Sequence, residues 1–117
     1  MLIRIDPTRE EAVFSQIAVS IRDDIAAGRI AAGERLPAAK QIAASLGVNQ
    51  HTVLHAYQEL RDEGLIDMRP GRGAVVTQTA AAAAELHEDI RALVARASER
   101  GISPDLLASL IRGVVGH

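Results

Sequence analysis

Four neighbouring side chains, Asn49, Gln50, His51 and Thr52, place several hydrogen-bond donors and acceptors at one point of the sequence. The amide groups of Asn and Gln each offer both donors and an acceptor, and His and Thr can serve in either role. Such a cluster suits recognition of a molecule with its own pattern of donors and acceptors. It also suits an ordinary solvated helix start, where Asn is a preferred first residue. The elements around the cluster must decide between these two interpretations.

His51 and His55 suggest a second chemistry, because they have the i, i+4 spacing of two metal ligands on one helix face. No glutamate accompanies them in a His-Glu-x-x-His arrangement, no third ligand is near in the sequence, and the chain has no cysteine. The glycines at 71 and 73 are too few for a phosphate-cradling loop, and no nucleophile stands with a partnered base. We therefore expect no metal, no cofactor and no enzyme activity.

The charge distribution favours a polyanionic partner even though the net charge is −2. Residues 35–58 and 68–84 contain no carboxylate. Salt limits the reach of an exposed charge to about 8 Å at physiological ionic strength, so local charge matters more than the total. The lysine and arginines in these two windows are Arg35, Lys40, Arg69 and Arg72.

The composition predicts a small, mainly helical protein. The 117 residues are 48% hydrophobic but include one Phe, one Tyr and no Trp, so the core must consist of Ala, Leu, Ile and Val. The N-terminal segment lacks the apolar run of a signal peptide, and no later run approaches the roughly 20 residues that span a bilayer. We expect a soluble, cytoplasmic protein without a membrane segment.

Two helices are predicted before the polar cluster. Residues Leu2 to Ile5 suggest a short strand, and a helix follows with an apolar stripe that ends before a capping glycine, Gly28. The stripe consists of Val13, Ile17, Ile21 and Ile25. Pro37 is expected in the first turn of a second helix, which Gly47 ends.

The polar cluster begins a third helix. Asn49 is expected to be its N-cap and to accept a hydrogen bond from the backbone N–H of His51 or Thr52. The core face is predicted to consist of Val53, Ala56, Tyr57 and Leu60, while His51 and His55 lie on another side and Gly64 ends the helix. Two helices joined by so short a turn, with a glycine in it, are a helix-turn-helix candidate.

A β-hairpin with a basic tip is predicted next. Its strands are Leu65 to Met68 and Ala74 to Thr77, and Pro70 and Gly71 suit the two central positions of a type II turn. This order of elements is that of a winged helix-turn-helix, in which the third helix enters the major groove of DNA. The candidate DNA-binding residues are Arg35, Lys40, Asn49, Gln50, His51, Thr52, His55, Arg69, Gly71, Arg72 and Gly73.

The residues after the hairpin are predicted to form a two-helix tail. The tract Ala80 to Ala84 is interpreted as a helix start or connector, and a helix continues through residues 86–97 until Gly101 closes it. Ser103 and Pro104 suit the N-cap and first residue of a last helix. Its broad apolar face could pack against the first domain or form a dimer interface, and its width favours the dimer. The apolar residues are Leu106, Leu107, Leu110, Ile111, Val114 and Val115.

The run LPAAKQIAASLGVNQHTVLHAYQELRDEGLIDMRPGRGAVV, from Leu36 to Val76, resembles the DNA-binding domain of the GntR family of bacterial transcription regulators. The preceding FSQIAVSIRDDIAAGRIAAGERL, from Phe14 to Leu36, is similar to the first helix and connection of that family. The two-helix tail resembles the YtrA-like subfamily, which lacks a large effector-binding domain. The resemblance implies dimerisation through the tail and, in that subfamily, repression of operons for membrane transporters.

Several positions depart from the family pattern. Ala38 and Lys40 stand where Ser and Arg are usual; Lys keeps a phosphate contact but loses the bidentate fork. Gln50 stands where Arg is frequent, so a preference for guanine does not carry over from the family, and a Gln side chain could instead contact adenine. Leu54 and His55 replace a pair of arginines. The operator sequence therefore does not carry over from the family.

Together these observations predict two domains, a winged helix-turn-helix over residues 1–78 and a dimerisation region over residues 79–117. The expected function is that of a homodimeric repressor bound to a near-palindromic, double-stranded operator, with an effector left open. The alternative is a winged-helix module that binds another protein and leaves its basic hairpin in solvent.

Overall fold

The structure, a computed structural model, describes residues 3–116, and its elements are mainly helical, as predicted. Their contacts divide the chain into two compact units between Glu85 and Leu86. In chain order the elements are α1 (Val13–Ala26), α2 (Ala39–Leu46), α3 (Gln50–Asp62), β1 (Ile66–Arg69), β2 (Gly73–Val76), α4 (Gln78–Glu85), α5 (His87–Glu99) and α6 (Pro104–Val115).

The core of the first unit is built where α1 and α2 pack against α3. The predicted apolar stripe of α1 supplies Ile17, Ile21 and Ile25, all of which are buried. Because apolar side chains recur every three or four residues, they share one face of the helix. The predicted core face of α3 is also confirmed, since Val53, Ala56, Tyr57 and Leu60 are buried against this stripe and against α2.

The turn between α2 and α3 follows the predicted capping chemistry. Gly47 has φ +70°, a left-handed conformation that glycine adopts without strain. The side-chain oxygen of Asn49 accepts a hydrogen bond from the backbone N–H of His51 at 2.8 Å. The N-cap prediction is confirmed, and the cap fixes where α3 begins.

The hairpin forms one residue later in β1 and one residue earlier in β2 than predicted, because Arg69 pairs with Gly73 at the end of the ladder. The backbone N–H of Arg72 donates to the carbonyl of Arg69 at 3.1 Å, and Gly71 has φ +78°, as a type II turn requires. A single bridge between Arg35 and Val75 places a third extended segment beside β2.

Two local predictions before α3 are wrong. Pro37 does not lie in the first turn of α2, because Ala38 is the N-cap and the helix begins at Ala39. The carbonyl of Pro37 instead accepts a hydrogen bond from α3, which holds this residue outside the helix. Residues 3–5 form no strand, and Leu2 lies outside the described residues; the backbone of Asp6 is bound instead by the side chain of Gln16.

The alanine tract is helical, but the helix does not continue unbroken into the tail. α4 ends at Glu85, Leu86 is a turn residue, and α5 begins at His87. α4 packs against α1 and buries Ala80. The contacts therefore assign α4 to the first unit, whereas the expected division lay after residue 78.

The second unit is a pair of helices, α5 and α6, that contact each other. The side-chain oxygen of Ser103 accepts from the backbone N–H of Leu106 at 3.1 Å, and Pro104 is the first helical residue, as predicted. Ala97 is the one buried residue between positions 86 and 116. Among the described helices of the chain, none has both the length and the apolar character to span a membrane.

Candidate nucleic-acid interface

The amino-terminal half of α3 presents two columns of side chains outside the core. Gln50 and Leu54 form one column, and His51 and His55 form the other, since residues four apart share a helix face. Gln50, His51 and His55 are exposed, and Thr52 and Leu54 are half-buried. The helix thus offers hydrogen-bonding groups at its start, where the partial positive charge of the helix dipole also lies.

In the polar cluster at the start of α3, one side chain stabilises the helix itself and others are unoccupied. The side chain of Asn49 is engaged in its cap, so its oxygen serves α3 itself. Within residues 3–116, the side chains of Gln50 and His51 make no hydrogen bond to the protein. Gln50 and His51 are therefore available to an external partner.

A groove of about 390 Å³ lies beside the Gln50 column, between the start of α2, α3 and the hairpin. It brings together five of the predicted DNA-binding residues, which come from four separate segments of the chain. They are Arg35, Lys40, Gln50, Arg69 and Gly73. Among the described residues, Arg35 and Lys40 have no ion-pair partner, and Arg69 has a long contact of 3.4 Å to Asp67. The groove is consequently positive.

The close approach of Arg35 to the hairpin depends on Gly73. A β-carbon added to Gly73 would lie 3.2 Å from Nε of Arg35 and 3.4 Å from one terminal nitrogen of its guanidinium. Gly73 also has φ +71°, which disfavours any residue with a side chain. The glycine therefore both shapes the turn end of the hairpin, where it pairs with Arg69, and leaves room for the Arg35 side chain across it.

Arg72 lies at the hairpin tip and not in the groove. It is exposed, and it lines a second concavity, which also contains Gly33 and Asp67 and shares Arg69 with the groove. Gly71 precedes it in the turn, and no atom lies within 4 Å of the point that a β-carbon on Gly71 would occupy, so the tip is open to approach by another molecule. The tip and the groove are two neighbouring basic surfaces that meet at Arg69.

His55 stacks on Phe14 of α1, with ring centroids 3.8 Å apart and an angle of 13° between the ring planes. This contact joins the start of α1 to the outer face of α3, and it fixes the orientation of an imidazole that remains exposed. The sequence alone does not indicate this contact, since Phe14 and His55 are far apart in the chain.

Tyr57 connects the core to the groove. Its hydroxyl donates to the carbonyl of Pro37 at 2.5 Å, and burial raises the pKa of the phenol above its ordinary value. The hydroxyl therefore stays protonated as a donor at physiological pH. Sequence reasoning recognised Tyr57 only as a core residue, although its polar hydroxyl required a partner inside the fold.

His51 and His55 are not part of a larger set of metal-binding side chains. No group of three or more His, Cys, Asp or Glu residues suited to a metal ion occurs within the described part of the chain.

Comparison with known proteins identifies this arrangement. Residues 14–76 match the family model described as bacterial regulatory proteins, gntR family. The HTH-type transcriptional repressor YtrA of Bacillus subtilis is 32% identical over 79 residues, which cover 68% of this chain and 61% of that protein. The matched region thus spans about three fifths of that relative.

Solved structures extend the likeness beyond the matched region. YtrA from Sulfolobus acidocaldarius, a GntR-family transcription factor, is 32% identical with a TM-score of 0.61, and 97% of each chain is covered. BusR of S. agalactiae, solved in complex with its busAB-promotor DNA, is 21% identical with a TM-score of 0.53, covering 90% of this chain and 56% of that one. At this identity the likeness to BusR shows the fold alone.

The family match covers more than half of the chain, and the helix-turn-helix and hairpin have the predicted order. The relatives from B. subtilis and S. acidocaldarius are regulators of transcription. This chain belongs to the GntR family of DNA-binding transcription regulators.

Proposed function

We propose that this regulator is a homodimeric repressor whose two α3 helices enter successive major grooves of a near-palindromic operator. One observation carries the proposal: the exposed start of α3 adjoins a groove that gathers Arg35, Lys40 and Arg69. In winged helix-turn-helix proteins the N-terminal residues of the third helix contact base edges, and cations beside it bind phosphates.

The proposed roles follow from the chemistry of each side chain. Gln50 reads adenine, because its amide can donate to N7 and accept from the N6 amino group in a bidentate manner, and His51 and Thr52 contact bases or phosphates. Arg35, Lys40 and Arg69 bind the phosphate backbone from the groove. Arg72, with Gly71 and Gly73 allowing close approach, binds the minor groove or a phosphate, and His55 contacts a phosphate beside α1. Asn49 acts mainly by fixing the start of α3.

The second unit supports the dimer. Nine large apolar side chains in this unit are exposed, including Val114 and Val115 at 80% and 81%. A soluble domain rarely exposes so much apolar surface without a partner. Residues 86–116 carry four carboxylates and four arginines, so two copies meet without net repulsion. A second copy of the same helices is therefore the proposed occupant of this surface.

The repressor role is proposed because the similar protein of B. subtilis is named a repressor. From the resemblance to the YtrA-like subfamily we further propose that the protein controls a transporter operon. The proposed location of the protein is the cytoplasm. The genes beside its own gene test that extension directly.

The central experiment is a selection of bound sequences from random double-stranded DNA, followed by a salt titration on the selected site. A dimer that contacts six to ten phosphates should lose roughly a thousandfold or more in affinity between 50 and 200 mM salt. We expect two half-sites whose centres lie about 34 Å apart along the duplex. Absence of any enriched sequence, together with weak salt dependence, would instead favour the winged fold as a protein-binding module.

A truncation tests the role of the second unit. Because α4 packs on α1, the cut should follow Glu85 and not residue 78. We expect residues 1–85 to fold but to bind the operator weakly as a monomer, since coupling of two half-sites raises affinity. A truncated chain that binds as tightly as the full chain would contradict the proposed dimer.

A further inference from the structure

Leu54 interrupts the polar surface of the recognition helix α3. It follows Gln50 by one helical turn, so the two side chains lie on the same face, and both line the groove. Its neighbour Val53 is fully buried, whereas Leu54 is half-buried. An apolar side chain is therefore presented beside the free amide of Gln50.

The surroundings of Leu54 hold it in place while leaving part of it open. Leu54 and Met68 both pack against the edge of the core. Met68 and Pro37 also line the groove, and the three residues form an apolar patch within a surface that otherwise carries Arg35, Lys40 and Arg69. A phosphate would gain nothing from this apolar patch, because phosphates need charged or hydrogen-bonding partners.

The chemistry of DNA offers one match for an apolar group at this place. In the major groove the base edges present donors, acceptors and a single apolar substituent, the C5 methyl group of thymine. One helical turn advances about 5.4 Å and base pairs are about 3.4 Å apart, so Leu54 faces a base pair one or two steps from that of Gln50.

We propose that Leu54 is a specificity-determining residue that selects thymine by contact with its C5 methyl group, one or two base pairs from the adenine read by Gln50. The inference rests on the proposed entry of α3 into the major groove. Leu54 would select a base through apolar contact and shape, whereas Gln50 would select a base through hydrogen bonds.

Replacement of thymine by deoxyuridine tests the proposal, because it removes the methyl group and leaves base pairing unchanged. Each thymine of one half-site is replaced in turn, and the full chain is titrated with each duplex. At one or two positions we expect affinity to fall about fourfold, the factor that corresponds to burial of one methyl-sized group. In Leu54→Ala the same replacements should change affinity by less than about 1.5-fold.

Two variants serve as controls. Leu54→Met keeps an apolar side chain of similar volume and should retain the sensitivity to uracil. Gln50→Ala should also retain it, because that variant removes a different contact. Each comparison is a ratio of the affinities of one protein for two duplexes. A loss of folded protein in Leu54→Ala lowers both apparent affinities equally and leaves their ratio unchanged.

The outcomes separate this inference from the proposed function. If selected sites bind specifically but no uracil replacement matters, Leu54 does not read a methyl group, and the proposed function stands. If uracil sensitivity persists in Leu54→Ala, another residue makes the contact and the inference is overturned. If no sequence is bound specifically, both the inference and the proposed operator binding are wrong.

Discussion

The hydroxyl of Tyr57 donates a hydrogen bond to the carbonyl of Pro37 at 2.5 Å, so the middle of α3 is tied to the segment that leads into α2. Tyr57 is almost fully buried, and Pro37 lines the groove that holds Lys40 and Gln50. This bond couples the core to the position of the groove wall, and it accounts for the placement of Pro37 before the helix.

The buried phenol predicts a loss of stability at alkaline pH. Burial raises the pKa of Tyr57 in the folded chain, whereas the unfolded chain ionises near the ordinary value of about 10. The unfolded state therefore releases the proton first, and the stability that the neutral phenol contributes is complete below that pH and declines as pH rises above it. For the unsubstituted protein, the free energy of unfolding measured in urea should therefore be lower at about pH 11 than at neutral pH.

Tyr57→Phe is the matched control, because it keeps the ring and removes the ionisable hydroxyl. Its free energy of unfolding at neutral pH should be lower by about 1 kcal/mol, because the hydrogen bond is missing. Between neutral pH and about pH 11 it should lose less stability than the unsubstituted protein. Tyr57 is the only tyrosine and the chain has no tryptophan, so tyrosinate absorbance reports on it alone. Tyrosinate appearing near pH 10 while the chain remains folded would contradict a raised pKa.

A second prediction concerns the contact between Gly73 and Arg35. Gly73→Ala should strain the backbone and displace the guanidinium, since the new β-carbon would lie 3.2 Å from Nε of Arg35. Gly28→Ala is the control, because Gly28 also has positive φ, has no atom within 4 Å of its β-carbon position and lies outside the candidate DNA-binding residues. Each should cost about 1 to 2 kcal/mol of stability through strain, but Gly73→Ala should weaken DNA binding more.

A double-mutant cycle isolates the part that depends on Arg35. In an Arg35→Ala background, the effect of Gly73→Ala on DNA affinity should shrink to that of Gly28→Ala, because no guanidinium remains to be displaced. Equal effects in both backgrounds would mean that Gly73 acts through the backbone alone.

The elements that the sequence predicted correctly are those specified by neighbouring residues. Asn49 is a cap because its own side chain reaches the next turn, and the stripe from Val13 to Ile25 defines the buried face of α1 by spacing alone. The type II turn at Pro70 and Gly71 is equally local. Such features need no knowledge of the remaining chain.

The features that the sequence did not predict depend on distant partners. Pro37 suits the first turn of a helix by its own geometry, but the hydroxyl of Tyr57 holds it outside. Phe14 meets His55, and Arg35 meets Gly73, only after the fold brings separate segments together. The groove therefore follows from tertiary packing, and spacing along the chain could suggest its residues but not their arrangement.

The apolar face of α6 gives a third prediction. Val114→Asp should convert a dimer into a monomer, because Val114 is 80% exposed in the single chain and would be buried by a second copy. An unpaired carboxylate in an apolar interface costs at least a few kcal/mol, which raises the dissociation constant by more than about tenfold. Sedimentation over a range of protein concentrations measures the change.

Ser109→Asp provides the control, since Ser109 lies on the opposite side of α6 from Val114 and is exposed. It adds the same charge and should leave the dimer intact. Should both variants remain dimeric, the two copies must meet through another surface, and the exposed face of α6 would need a different partner.

The last prediction separates base reading from phosphate binding. Gln50→Ala should weaken binding of the selected operator by roughly 1 to 3 kcal/mol and relax the preference at one base position per half-site. Arg72→Ala should weaken binding of all sequences to a similar extent and reduce the salt dependence by about one counterion for each subunit, because the tip arginine contacts a phosphate or the minor groove. To measure the difference, both variants are titrated at two salt concentrations with the operator, with single-base variants of the operator and with unrelated DNA.

Unchanged base preference in Gln50→Ala would show that the start of α3 does not read the operator through this side chain. A change of base preference in Arg72→Ala, at unchanged salt dependence, would assign sequence reading to the hairpin tip instead.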